Sequence, residues 1–247
     1  MFFDILTLFP SMFEGAFSDS IIKRAVEKGL VSIDIHNIRD CSCDDRHQTV
    51  DDYPYGGDAG MLMKPEPVVA ALKASRERLA AHDPKVIYLS PQGELLNHAV
   101  TGSLLNEKAL ILLCGRYKGI DQRVCDRYVD REISIGDYVL SGGEIPAMVV
   151  VDAVTRLIPG VLNNRNSAEA DSLYNGLLSH PEYTRPEIFE GMRVPSVLLS
   201  GNHAEVRKWQ REQAIGLTKK KRPDLWERCK GSVEDSEAAG TGKRKKK

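Results

Sequence analysis

Short runs of aliphatic and β-branched residues, separated by segments with helical periodicity, constrain this chain more than any other feature. Phe2 to Leu8, Val31 to Ile38, Val86 to Leu89, Leu110 to Cys114 and Glu132 to Ile135 read as strands, and Pro65 to Ala81 and Glu144 to Leu157 read as helices. Strands that alternate with helices are joined by crossovers, which lay helices over the sheet and make it mainly parallel. The expected fold class is α/β, a mainly parallel sheet with helices on both faces. Ligands of such sheets collect at the carboxyl ends of the strands.

After Ile158-Pro159-Gly160 the pattern changes to a polar stretch, VLNNRNSAEADS, with little apolar content, which reads as an interdomain linker over 161–172. Beyond it, Pro181, Pro186 and Pro195 punctuate an irregular segment. Asn202 then precedes a helical run with Glu205 three positions on, the spacing of a capping box, and Val206 and Trp209 fall on one face of that helix.

The chain carries a net charge of −1, which conceals an uneven distribution: residues 201–247 hold a net +7, leaving −8 for residues 1–200. The basic fifth is the candidate contact for a polyanion, with Lys243 to Lys247 equally readable as a disordered solubilising tail. Cysteines at 41, 43, 114, 125 and 229 lack CxxC pairing, which argues against a disulfide framework and a zinc site. The apolar N-terminus carries Asp4 and no basic leader, and the longest apolar stretch, near Ile145 to Val151, is far short of the roughly 20 residues of a membrane span. The expected location is the cytoplasm.

Three loops with glycines leave three consecutive strands: Tyr88 to Gly93, Cys114 to Gly119 and Ile135 to Gly143. Each alone suits an ordinary strand-to-helix turn. In succession they suggest one pocket, in which glycines admit a ligand close to the backbone and Tyr88, Tyr117, Tyr138 and Leu140 form apolar walls suited to an adenosine-like group. No GxGxxG, Walker A or HExxH pattern accompanies them. The long polar loop from Arg46 to Gly60 offers Arg46 to a phosphate and Tyr53 or Tyr55 to a base, with surface turn chemistry as the plainer alternative. Arg156, four after Asp152, reads first as an intrahelical ion-pair partner, and Asp171 reads first as a capping residue.

The blocks YLSPQG, LLCGRYKGID, SIGDYVLSGGEIPAM, RLIPGV, SAEADS, HPEYTRPEIFEGMRVPSVLLSGNHAEVRKW and RPDLW together resemble the bacterial tRNA (guanine-N1)-methyltransferase family, TrmD, over nearly residues 1–230. That resemblance implies a SPOUT-type domain over 1–160 with a deep trefoil knot, the 161–172 linker, a small helical tRNA-binding domain over 173–230 and a disordered basic tail over 231–247. It implies S-adenosylmethionine as methyl donor, held by Tyr88, Leu89, Ser90, Pro91, Gly115, Tyr117, Ile135, Gly136, Asp137, Tyr138, Val139, Leu140, Gly142, Gly143 and Pro146. It implies Asp171 as general base on guanine N1, Arg156 as the cation beside O6, and methylation of tRNA at position 37, just 3′ of the anticodon. It also implies a homodimer whose active sites are shared between subunits, with magnesium as a candidate cofactor for which no ligand is identified.

RNA contacts are expected from Arg46 and from Lys219, Lys220, Lys221 and Arg222, a cluster too concentrated to be balanced by its local acids. The chain departs from the usual family pattern at Lys118, Gln122 and Glu94, near the pocket, so position 118 takes no catalytic role. The competing readings are a SPOUT-like RNA-binding protein without turnover and a small-molecule methyltransferase, which would not need the basic C-terminal region.

Overall fold

A computed structural model describes residues 1–42, 48–162, 172–173 and 176–242. The chain divides into two compact units, 1–163 and 164–247, a boundary that falls inside the polar 161–172 stretch.

The first unit is built on a five-stranded, wholly parallel sheet of β1 (Phe2–Thr7), β2 (Ser32–Asn37), β5 (Lys85–Leu95), β6 (Ala109–Cys114) and β7 (Arg131–Ser134), in the order β2-β1-β6-β5-β7. The helices are α1 (Ser20–Glu27), α2 (Pro65–Arg78), α3 (His98–Leu104), α4 (Gln122–Tyr128) and α5 (Glu144–Thr155). A two-residue antiparallel pair, β3 (Asp51–Asp52) with β4 (Leu62–Met63), closes the loop before α2.

Side-chain alternation sorts the core into two layers. Phe3, Ile5, Ile87, Leu110 and Leu112 pack with Ala25, Val100, Leu104, Val150 and Val154 of α1, α3 and α5. Leu6, Val86, Ile111 and Leu113 pack on the other side with Val68, Ala71 and Leu72 of α2 and Val124 of α4. Strand β6 is buried along its whole length, which its unbroken apolar run ALILLC requires of a strand covered on both faces. Each large apolar side chain so buried contributes about 1.5–3 kcal/mol, so the sheet centre is a rigid base for its loops.

All five expected strands are present. Strand β5 runs longer than its apolar stretch suggests, because Leu89 and Glu94 both pair with Ile133 and the residues between them bulge out. Helices α1, α3 and α4, of seven or eight residues, were not singled out in the sequence; two turns leave too short a stripe to reveal a period. Asn97 and Asp121 cap α3 and α4 by accepting from the backbone N–H groups of Val100 and Arg123.

The second unit contains a two-stranded hairpin of β8 (Ile188–Phe189) and β9 (Met192–Arg193), the short α6 (Ser196–Leu199), and the long α7 (His203–Lys221) and α8 (Pro223–Gly242). Asn202 caps α7 by accepting from Ala204 and Glu205. The reciprocal half of a capping box is taken by Ser200, whose hydroxyl accepts the Asn202 N–H at 3.1 Å. Val206 and Trp209 share the half-buried face, with Trp209 tilted against the His180 and Tyr183 rings. Pro223 at N1 opens α8, and its helical backbone continues past residue 230 to Gly242, into the stretch read from the sequence as a disordered basic tail. Residues 243–247 lie outside the described residues.

Candidate active site

The three glycine-bearing loops converge at the carboxyl ends of β5, β6 and β7, where they enclose a cavity of about 410 Å³. Of the fifteen cofactor residues expected, fourteen line it: Tyr88, Leu89, Ser90, Pro91, Gly115, Tyr117, Ile135, Gly136, Tyr138, Val139, Leu140, Gly142, Gly143 and Pro146. Asp137 does not. The lining also takes in residues the sequence reading missed, among them Leu62, Gln92, Arg116, Ser134 and Ser141. Gln92, Arg116 and Ser141 stand beside recognised glycines, a proximity that was the available signal.

Each wall has a local cause. Gly93 ends the β5 bulge so close to β7 that a Cβ there would stand 2.4 Å from the Glu132 carbonyl carbon and the Ile133 nitrogen. Tyr117 holds a left-handed φ of 60°, an unusual state for a tyrosine, inside a turn closed by the Gly119 N–H donating to Arg116 O at 2.9 Å. Tyr88 is buried to 7% exposure at the cavity floor, and burial above all pushes its hydroxyl up to about 12, so it is a neutral phenol at physiological pH. Burial likewise pushes the nearby Cys125 thiol up to about 11.

Behind the cavity sits a charged brace. Glu144, the first residue of α5, is fully buried, and its Oε1 accepts from Thr7 Oγ1 at 2.8 Å and from Arg116 Nε at 3.1 Å. Its Oε2 lies 3.0 Å from the same Nε but is not aimed at by the N–H, and has no hydrogen-bond partner. Arg116 also donates from Nη1 to Ser141 O at 3.2 Å and stacks its guanidinium 4.3 Å from the Phe9 ring centre. One ion pair therefore ties together the end of β1, the 115–119 loop and the 141–143 loop. Gly142 is required beside it, because a Cβ there would meet Arg116 Nε at 2.5 Å and Glu144 Oε2 at 2.6 Å.

The three departures are each partnered. Lys118 lines the cavity and donates from Nζ to Asp58 Oδ2 at 3.2 Å. Gln122 lines it and donates to Asp126 Oδ1 at 2.8 Å. Glu94 does not line it; Glu94 pairs with Arg131, whose hydrogen bond holds its carboxyl below the usual range.

Arg156 is the half-buried C-cap of α5 and is not among the cavity-lining residues. Asp171 and Arg46 lie outside the described residues. In the second unit Lys219, Lys220 and Lys221 are exposed on the last turn of α7, where cations also complement the helix dipole. Lys219 Nζ stands 4.3 Å from the Trp226 ring centre. Arg222 is committed to Asp224, donating at 2.9 and 2.7 Å and holding that carboxyl down at about 2, which leaves it less available to a phosphate than the lysines.

A family model described as tRNA (Guanine-1)-methyltransferase TrmD matches residues 1–228. The chain belongs to that family. A tRNA (guanine-N(1)-)-methyltransferase of Geotalea uraniireducens is 54% identical over 96% of this chain and 95% of its own. Proteins of the same name from Dictyoglomus turgidum (53% identical, 95% and 93% covered) and Clostridioides difficile (49%, 92% and 98%) are similar along the same length. No described helix is long and apolar enough to cross a membrane.

Proposed function

We propose that this TrmD-family chain transfers a methyl group from S-adenosylmethionine to N1 of the guanine at tRNA position 37, immediately 3′ of the anticodon. The observation that carries the reading is the glycine-walled cavity at the sheet's carboxyl edge, in a chain about half identical to proteins named for this reaction. Tyrosine, leucine and proline walls suit the adenine and ribose faces, and loop backbone suits their polar edges. Arg116 and Lys118, the cations in the lining, are both ion-paired to carboxylates, so they do not repel a cationic ligand.

S-adenosylmethionine, when bound, supplies an electrophilic methyl group on sulfonium. Guanine N1 keeps its proton at neutral pH and is a poor nucleophile until that proton leaves. Asp171 is the proposed general base. Deprotonation shifts negative charge toward O6, where the Arg156 guanidinium stabilises it. Holding N1 in line with the methyl group supplies much of the remaining acceleration.

The reading includes the family's knotted topology, a cytoplasmic location and a homodimer with shared sites. A dimer is supported by Ile145 and Val149, four apart on one face of α5 and 45% and 39% exposed, on a helix that packs against the 10–13 turn carrying exposed Met12. Magnesium remains a candidate without ligands; no cluster of three or more His, Cys, Asp or Glu side chains able to hold a metal occurs among the described residues. The enzyme is favoured over an RNA-binding protein without turnover by the names of its relatives and by the presence of both Asp171 and Arg156.

Incubation with labelled S-adenosylmethionine and unmodified tRNA bearing guanines at positions 36 and 37, followed by nucleoside analysis, tests the reaction. N1-methylguanosine at 37 is expected, and product at N7, N2 or a ribose oxygen rejects it. Site sharing is tested by reassembling Asp171→Ala subunits with Gly142→Val subunits. Recovery of up to about half the wild-type activity per heterodimer is expected, since both lesions fall in one site. Verified heterodimers that stay inactive reject the shared site.

A further inference from the structure

Two tyrosines in the first unit stand in solvent with no packing reason to be there. Tyr55 is fully exposed and Tyr53 is 78% exposed, on the loop between β3 and β4. Gly56 and Gly57 follow with φ of 96° and 80° and nothing within 4 Å of a Cβ at either position, so the chain at these two residues stands clear of the body.

Its base is nonetheless fixed, and fixed to the cavity wall. Asp51 and Asp52 pair with Met63 and Leu62. The Lys118 N–H donates to Met61 O and the Met63 N–H to Gly119 O, each at 3.0 Å, and Lys118 Nζ reaches Asp58. Lys118 and Gly119 are themselves cavity residues. An ordered loop hydrogen-bonded to a reaction cavity and carrying two bare phenol rings is built to receive something flat.

The charges around the rings select what that is. Lys118 is paired with Asp58, and Arg123, whose guanidinium lies within electrostatic range of Tyr55, is paired with Asp121 at 2.7 Å. Cations already committed offer little to a phosphate, which leaves the ring faces. A guanine whose Watson–Crick edge must enter a cavity has to leave its stack, and that exposes the faces of neighbouring bases. Single-stranded RNA is held in this way by stacking on aromatic side chains.

We infer that Tyr53 and Tyr55 form a stacking platform for one or two unpaired bases next to the target guanine. This rests on the tRNA reading above and adds a nucleotide-positioning surface to it. Stacking is electrically neutral, so the platform contributes affinity that does not depend on salt, unlike the lysine cluster of the second unit.

The test uses the full chain and an unmodified tRNA transcript. Tyr53→Leu and Tyr55→Leu keep apolar bulk and remove the ring; Tyr→Phe keeps the ring. Each Leu variant is expected to bind tRNA about ten-fold more weakly, with an unchanged dependence on salt, while each Phe variant stays within about two-fold of wild type. S-adenosylmethionine affinity should not change. 5-Iodouridine placed beside the target guanine and irradiated should crosslink to Tyr53 or Tyr55, as mapped by mass spectrometry. Leu variants that bind as wild type, loss of affinity accompanied by a reduced salt slope, or crosslinks confined to other residues each overturn the platform. A lower sedimentation mass in the Leu variants also overturns it, because the rings would then hold a second copy of the chain. Wild-type protein that fails to methylate guanine N1 would count against the functional reading; methylation unaffected by the Leu substitutions would count against the platform alone.

Discussion

Replacing Glu144 with Gln preserves the side chain's shape and removes its charge, leaving the Arg116 guanidinium, only 14% exposed, without its counter-ion. Breaking a buried pair from one side costs about 3–5 kcal/mol, chiefly for the charge left uncompensated. The Gln carbonyl can still accept from Thr7, as Glu144 does at 2.8 Å, which points to the lower end of that range. For a unit of this size each kcal/mol moves the melting temperature by about 2–4 °C, so a loss of roughly 6–12 °C is expected by circular dichroism. S-adenosylmethionine affinity, read by titration calorimetry, should fall as well, because Arg116 holds Ser141 O and packs against Gly142 in the cavity wall. The double variant Glu144→Leu with Arg116→Met separates the two effects. An apolar replacement of a buried pair costs little, so much of the melting temperature should return, whereas the affinity should not, since the Ser141 carbonyl then has lost its guanidinium donor and the 141–143 loop keeps only its backbone pairing to Gly115. A Glu144→Gln protein that melts within about 2 °C of wild type and binds normally refutes the brace, as does a double variant with restored affinity.

Two glycines should respond oppositely to alanine. Gly93→Ala drives a methyl group into rigid β7 backbone and should destabilise the first unit and weaken cofactor binding, whereas Gly216→Ala, in mid-helix with open space around it, should raise stability by about 0.5–1 kcal/mol in denaturant melts. Neutralising Lys219, Lys220 and Lys221 should reduce the salt slope of tRNA binding by about one per lost phosphate contact. Arg222→Ala should change the slope less, because Asp224 already occupies that guanidinium; an Arg222 effect equal to a lysine's would show that the pair opens on binding. The cavity residue Cys125 should react slowly with iodoacetamide. A thiol raised to about 11 carries on the order of one thiolate per thousand molecules at pH 8, and because its pKa is raised, reactivity should climb with pH through that range rather than level off near 9. Rapid labelling at pH 8 would show that the thiol is less buried than its raised pKa requires.

The cavity was legible because its signal is local. Glycine turns leaving three consecutive strands are visible in the sequence, and strand ends in a parallel sheet fix where such loops meet. The brace behind it was not. Arg116 and Glu144 are 28 residues apart and Thr7 is 137 from Glu144, and no periodicity links charges whose meeting depends on the β1-β6-β5 order. The same holds for Lys118 and Asp58, 60 residues apart, whose pairing turns an apparent charge reversal into a tether for the tyrosine loop. Glu94 looked like a change to the pocket because it follows the SPQG block. The bulge ends before it and β5 has resumed, so its side chain meets Arg131 at the sheet edge.

The distribution of charge follows from what the two substrates demand. A sulfonium ligand is repelled by unpaired cations, whereas a nucleic acid is gathered by them, and one surface cannot meet both needs well. Arg116 and Lys118 in the cavity lining are each set against a carboxylate, and residues 1–200, which extend beyond the first unit, carry a net −8. The net +7 lies in residues 201–247, with three of its lysines exposed on one turn of α7. The surplus of positive charge is therefore carried by residues other than those that line the cavity. On the stacking proposal, recognition next to that cavity falls to groups that add no positive charge, which gives a physical reason for uncharged aromatic rings there, beside Lys118 and Arg123 that are already paired.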